Sequence, residues 1–381
     1  MRKIKVFLRL SKKSHPLYEE LFNNPPKNIE YVFRKDMEHY SKKDTSFKTK
    51  IKNFFWGVFN KRMPPFAPIK YEDCDLIHST NNIMILGKKP WIIDTESGHG
   101  LLGFKYELSK KKYFLEIAKK ILNQKSCKKI LCWSEICRKA FLDIFGKDFE
   151  NKVEVVYPSH HAVKIDKKKK QKKKVKLLFV SRRFQEKGGY ELLRAFDKIK
   201  NKHNCELVMI SMFSREILEK YKGDKKIKLI EAKLSRDEVA KHFKEADIFV
   251  YPNRIDTYGF VIIEAMAYGL PVITMDLYAI PEMIKNGKNG LLINPLLKWH
   301  DKDGKHLWKN DTLYYKRYEE AYQKNKDKYC KDIALAMEKL IKNKKLREKM
   351  GLENFKEVSK GKFSIEHRNK KLEKIYSESL G

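Results

Sequence analysis

"VKLLFVSRRFQEKGGYELLRAFDKI", residues 175–199, sets the architecture. Its opening, Val175 to Val180, is a nearly unbroken apolar run, the pattern of a strand buried on both faces of a parallel sheet. A basic loop with Arg182 and Lys187 follows. Gly188-Gly189 then opens a helix that places Leu192, Leu193, Phe196 and Ile199 on one face. Ligands of open α/β sheets bind beyond the carboxyl ends of the strands, and a helix N-terminus there favours anions through its N–H groups and dipole. With two cations added, the stretch reads as a cradle for a diphosphate. An ordinary loop salt bridge is the competing reading of Arg182 alone.

Short apolar runs alternate with helical segments in two series. The first holds residues 3–9, 29–33, 75–79, 90–95, 129–134 and 152–158; the second holds 175–181, 206–211, 227–232, 246–252, 271–276 and 290–293. This predicts two Rossmann-like, doubly wound α/β domains, at 1–165 and 166–363. Between them "KIDKKKKQKKKVK" (164–176) is a lysine block that cannot pack and reads as a solvated linker. Residues 296–330, rich in Lys, Tyr and Trp, have no place in the alternation and read as an insertion.

A second strand end carries "DTYGFVIIEAMAYGLPVI", residues 256–273. A helix apolar all round is normally buried, and a buried carboxylate needs a partner, so Glu264 calls for explanation. Asp256 stands eight residues earlier, on nearly the same face if the helix reaches that far. Carboxylates accept hydrogen bonds from vicinal sugar hydroxyls. Cations for phosphates and carboxylates for a sugar would then share one sheet edge.

The chain has 381 residues and a formal charge of +35, with 84 Lys and Arg against 49 Asp and Glu. That balance points to nucleic acid, an anionic membrane surface or phosphorylated substrates, or simply to a general lysine habit, and says nothing about fold. Cys74, Cys127, Cys132, Cys137, Cys205 and Cys330 form no CxxC pair and read as reduced. The basic start lacks a signal-type apolar stretch, so a cytoplasmic location is expected. Residues 45–63 interleave Phe47, Phe54, Phe55 and Phe59 with lysines at helical spacing. They fit a helix lying on an anionic membrane face, which would make the protein peripheral, or one packed on its own domain.

The segments 179–196, 234–254, 256–273, 279–293 and 331–366 together resemble the nucleotide-binding domain of a family 4 glycosyltransferase. This is the retaining, "glycosyl transferases group 1" type with the GT-B fold. The resemblance covers most of 175–366 outside the insertion. It implies two Rossmann-like domains facing a central cleft, with the tail 364–381 packed back on the first. By position Arg182 and Lys187 match the family's diphosphate-binding pair. Glu264 matches the second Glu of its Glu-x7-Glu motif, which holds the ribose, and Asp256 stands where the first Glu lies near the donor sugar. Ser181 and Ala279 replace glycines, Glu282 matches a Glu of the phosphate-facing loop, and Tyr258, Gly259 and Phe260 complete the donor segment. In the first half the family's cleft-lining His aligns with Glu96, and His99 lies three residues on.

The resemblance implies retaining transfer of a sugar from a nucleotide-diphosphate sugar to a glycan or lipid-linked acceptor. Arg182 and Lys187 would stabilise the leaving charge, with no metal and no other cofactor. A basic nucleic-acid-binding protein and a catalytically inactive relative are the alternatives. The former is weakened by the absence of a nucleic-acid-reading motif.

Overall fold

The computed structural model describes residues 2–10, 17–33, 64–68, 73–104, 106–163 and 174–381. The amphipathic segment 45–63 and residues 164–173 of the lysine block lie outside the described residues. The chain forms two compact units. One comprises Met1–Pro158, Lys302–Asn310 and Glu366–Gly381; the other comprises Ser159–Asp301 and Asp311–Ile365.

The first unit contains β1 (Ile4–Arg9), β2 (Ile29–Val32), β3 (Phe66–Pro68), β4 (Leu76–Ser79), β5 (Met84–Leu86), β6 (Trp91–Thr95), β7 (Cys127–Cys132) and β8 (Val153–Val155). Its six-stranded sheet runs β2-β1-β4-β6-β7-β8, and every pairing is parallel. β3 and β5 make a separate parallel pair. Trp91, Ile93, Phe114, Phe141 and Phe145 fill the core between this sheet and its helices.

The helix Ile365–Glu378 returns to this unit. It buries Leu372, Ile375 and Tyr376, and the Arg368 guanidinium donates to the carbonyl of Asn24 at 2.7 Å. The Tyr376 hydroxyl lies 2.8 Å from His78 Nδ1 and 2.9 Å from the Tyr31 hydroxyl. On the other side of His78, Asp94 is 3.5 Å away and accepts from the Tyr18 hydroxyl at 2.8 Å. A polar chain thus ties the returning helix to β2, β4, β6 and the helix Leu17–Asn23.

The second unit holds β9 (Val175–Val180), β10 (Cys205–Ser211), β11 (Ile227–Glu231), β12 (Ile248–Tyr251), β13 (Val272–Met275) and β14 (Gly290–Ile293). They form one parallel sheet ordered β11-β10-β9-β12-β13-β14. From β9 the chain winds outward to β11, then returns to start again at β12. β9 and β12 therefore flank the switch point, where open α/β sheets leave a crevice at their carboxyl edge.

The sequence placed the domain junction at 165/166 and treated 296–330 as one insertion. The structure shares that segment out. Lys302–Asn310 belongs to the first unit, and from Asp311 to Lys342 the chain is a single helix of the second. Tyr314, Tyr318 and Tyr322 recur every four residues on this helix, so they form one stripe, and all three are buried. The stripe packs along the helix Gly189–Asp197. All six cysteines are buried and unpaired.

Candidate functional site

Two loops meet beyond the carboxyl ends of β9 and β12. They approach so closely that the Arg254 N–H donates to the Glu186 carbonyl at 3.0 Å. Gly188, at φ +77°, sits where a Cβ would overlap the carbonyl oxygen of Pro252. Only glycine meets both the left-handed backbone and the close approach. It caps the helix Gly189–Asp197, and Gly259, at φ +81°, caps the helix Phe260–Ala267. Neither end has a side-chain cap.

Lys187 reaches from the first loop into the second. Its Nζ donates to the Ile255 carbonyl at 2.7 Å and to Asp256 Oδ2 at 2.8 Å. The same oxygen accepts from the Tyr251 hydroxyl at 2.8 Å, and Oδ1 accepts from the Tyr258 N–H at 3.3 Å. Burial alone would raise the Asp256 carboxyl. The Lys187 charge and the hydrogen bonds from Lys187, Tyr251 and Tyr258 outweigh it and hold the group below its ordinary value. Burial and the neighbouring Asp256 push the Tyr251 hydroxyl well up, so it remains a donor. Arg182 is exposed and, among the described residues, forms no ion pair. Ser181 accepts from the Arg183 N–H at 3.1 Å and shapes the turn between them.

The helix carrying Glu264 begins only at Phe260, so Asp256 precedes it in the loop, and the shared helical face expected from the spacing does not exist. Glu264 is half-buried, like Val261 and Tyr268. Three, four and seven residues separate these positions, so they form one stripe; Phe260, Ile262, Ile263, Ala265, Met266 and Ala267 are buried. The helix is thus apolar inward and open along the Glu264 stripe. Tyr258 is buried beside it.

After β13, Ala279 is buried with φ −77°, a backbone any residue adopts, so the missing glycine costs nothing there. The left-handed residue is its neighbour Tyr278, at φ +41°. Glu282 is half-buried in the short helix Ile280–Met283, and its carbonyl accepts from Lys362 at 2.6 Å.

A buried ion pair, absent from the sequence reading, anchors these loops. Arg254 Nε donates to Glu191 Oε1 at 2.8 Å, and the carboxylate is fully buried. The guanidinium lies 4.7 Å from the Tyr318 ring and 5.6 Å from the Tyr322 ring. Tyr314 donates to the Arg254 carbonyl at 2.6 Å, and Tyr318 donates to Glu191 at 3.2 Å. Burial raises the Glu191 carboxyl more than Arg254 lowers it. The tyrosine stripe of the helix Asp311–Lys342 therefore fixes the backbone two residues before Asp256. A Glu among the apolar positions of the helix Gly189–Asp197 was the available signal.

In the first unit, Glu96 follows β6 directly and is half-buried, and His99 lies in the turn Gly98–Leu102. The His99 ring is buried, 5.1 Å from Tyr106 and 5.7 Å from His306, while Tyr106 and His306 stack at 3.9 Å. Burial pushes both imidazoles down to about 4, helped by His306 at His99 and, against the Trp308 carbonyl, by Lys110 at His306, so both are neutral at pH 7. They line a cavity of about 170 Å³ with Ser109, Asp143 and Lys305. His306 comes from the segment Lys302–Asn310, which the sequence had not joined to His99. Among the described residues no helix is long and apolar enough to cross a membrane.

Residues 162–325 match the family model for glycosyl transferases group 1. An uncharacterised 41.2 kDa protein from the cps region of Klebsiella pneumoniae is 29% identical over 197 residues, 49% of this chain and 52% of that protein. The Staphylococcus aureus capsular polysaccharide biosynthesis glycosyltransferase CapM is 26% identical over 210 residues, 53% of this chain and 46% of CapM. The chain thus spans about half the length of these curated relatives. Among solved structures, Anabaena Alr3699/HepE in complex with UDP and glucose superposes with a TM-score of 0.60 at 12% identity, over 99% of this chain and 100% of that one. Such a likeness is one of fold, the two Rossmann-like domains of GT-B glycosyltransferases. The chain has this GT-B architecture, and its residues 162–325 match the glycosyl transferases group 1 family.

Proposed function

We propose that the protein is a retaining glycosyltransferase that moves a sugar from a nucleotide-diphosphate sugar to an acceptor hydroxyl. The observation that carries this is the switch point of the second unit. There exposed Arg182, anchored Lys187 and two glycine-capped helix N-termini share one sheet edge, and Glu264 lies half-buried on one of those two helices. Arg182 and Lys187 would meet the charge on the departing diphosphate, so the leaving group needs no metal partner. Glu264 would accept from the ribose hydroxyls, and Glu282 would belong to the loop that faces the phosphates. His99 and Glu96 are proposed nearer the transferred sugar.

A curated relative named for capsular polysaccharide biosynthesis supports a glycan acceptor, and a lipid-linked glycan is proposed on the same footing. A peripheral position on an anionic membrane is proposed from the sequence of 45–63, against the reading in which this segment packs on its own domain. Co-sedimentation with anionic vesicles at low salt tests it, and protein left in the supernatant rejects it.

The central test is thermal unfolding with UDP, GDP, ADP and dTDP, each with and without magnesium. A ligand present at about 100 times its Kd stabilises by about 2.7 kcal/mol. One nucleotide should raise the midpoint equally with and without metal. No shift with any nucleotide rejects the reading.

A further inference from the structure

Resting on the donor reading above, we propose that Asp256 is a positioning residue that aims the Lys187 ammonium at the diphosphate, rather than a contact of the donor sugar. A lysine is a point charge on a flexible four-carbon stem, and its direction is normally undetermined. Here it is determined. Of the three N–H bonds on Nζ, one goes to the Ile255 carbonyl at 2.7 Å and one to Asp256 Oδ2 at 2.8 Å. The third is thereby fixed in direction at the carboxyl edge of β9, on the loop that presents Arg182.

Asp256 is itself held from two other sides. The Tyr251 hydroxyl donates to the same oxygen that Lys187 uses, and the Tyr258 N–H donates to the other. The Lys187 and Asp256 side chains are only 13% and 12% exposed, so the pair faces inward. Three donors occupy most of what a carboxylate can accept, which leaves little for sugar hydroxyls. The shorter aspartate side chain keeps the carboxylate at the depth of Tyr251. Asp256 thus takes a role other than the donor-sugar contact that the resemblance implies for this position.

The test measures binding of UDP, GDP, ADP and dTDP, each beside its monophosphate, to wild type, Asp256→Asn, Lys187→Met and the double variant. Asparagine keeps an acceptor for Tyr258 or Tyr251, and thermal unfolding without ligand reports whether the variant folds. Removing a negative charge beside an anion site would, by Coulomb's law alone, tighten diphosphate binding. A positioning role has the opposite sign. Asp256→Asn should weaken the diphosphate by roughly tenfold, the factor one charge-assisted hydrogen bond carries, and leave the monophosphate within about twofold. The double variant should be no weaker than Lys187→Met.

Unchanged or tighter diphosphate binding by Asp256→Asn, or additive losses in the double variant, would overturn the inference. If Asp256→Asn does not fold, Tyr251→Phe removes one donor to the carboxylate without altering charge. It should show a smaller loss confined to the diphosphate, and an unchanged diphosphate affinity there overturns the inference equally. If wild type binds none of the nucleotides, the donor reading itself fails and takes this inference with it.

Discussion

Replacing Arg254 by methionine removes the counter-charge of Glu191, whose side chain is fully buried. Methionine fills much of the arginine stem but restores neither the 2.8 Å hydrogen bond nor the ring contacts with Tyr318 and Tyr322. Breaking one side of a buried pair costs about 3–5 kcal/mol, because the remaining charge stays desolvated. At about 4 kcal/mol the folding equilibrium of the second unit shifts roughly a thousandfold. For a unit of this size, each kcal/mol is worth about 2–4 °C, so its midpoint should fall by roughly 8–16 °C. The double variant Glu191→Gln/Arg254→Met leaves no buried charge, and Tyr318 still has an acceptor. It should recover to within about 1 kcal/mol of wild type.

The acid limb gives a second check. The Glu191 carboxyl in the folded chain already lies above its ordinary value, and losing Arg254 raises it further. A carboxyl raised on folding binds its proton more tightly in the folded state. The single variant should therefore regain stability as pH falls from 7 towards 5. Calorimetry and urea unfolding followed by circular dichroism measure both effects. A single variant within about 1 kcal/mol of wild type, or a double variant no better than the single, would refute the claim that this pair fixes the loop before Asp256.

Other substitutions separate folding from binding. Gly188→Ala meets both a left-handed backbone and the Pro252 carbonyl, and should cost at least about 2 kcal/mol by chemical denaturation, with weaker nucleotide binding. Arg182→Ala, at an exposed position, should leave stability within about 0.5 kcal/mol yet weaken nucleoside diphosphate binding by calorimetric titration. His99 and His306 are depressed to about 4, below an unfolded value of about 6.5. Their contribution is full above pH 6.5 and is lost as pH falls from there towards 4, on the order of 2 kcal/mol each by pH 5. His306→Gln should make urea midpoints at pH 7 and pH 5 differ less than in wild type, and an unchanged difference would refute the burial argument.

The two main sheets were legible because each of their strands is a short apolar run between turn residues, and no competing period disturbs it. β3 and β5 were not read, since three residues such as Phe66–Pro68 hold too little pattern to register. The helix Asp311–Lys342 escaped because its tyrosines lie every fourth residue among lysines and glutamates, so composition masked the stripe. Within the site, Arg182 and Lys187 were legible as cations of one loop after one strand. The Lys187–Asp256 pairing was not, because it joins loops 69 residues apart through the adjacency of β9 and β12. The buried-carboxylate question asked of Glu264 has its sharper answer at Glu191. One residue lies on the open stripe of its helix and the other has none of its surface exposed.

The division of the chain into units also dictates an order of events during synthesis. Strands β1 to β8 have all emerged by Val155, but His78 meets its Tyr376 partner only some two hundred residues later. At translation rates of about 5–20 residues per second, that interval is on the order of 10–40 s. During it the nascent first unit has an open seam where the helix Ile365–Glu378 will lie. The second unit can close first, from Ser159 to Ile365, with Lys302–Asn310 left for the other. A released chain truncated just after Ile365 should therefore present a protease-resistant second unit beside a first unit that is still cleavable.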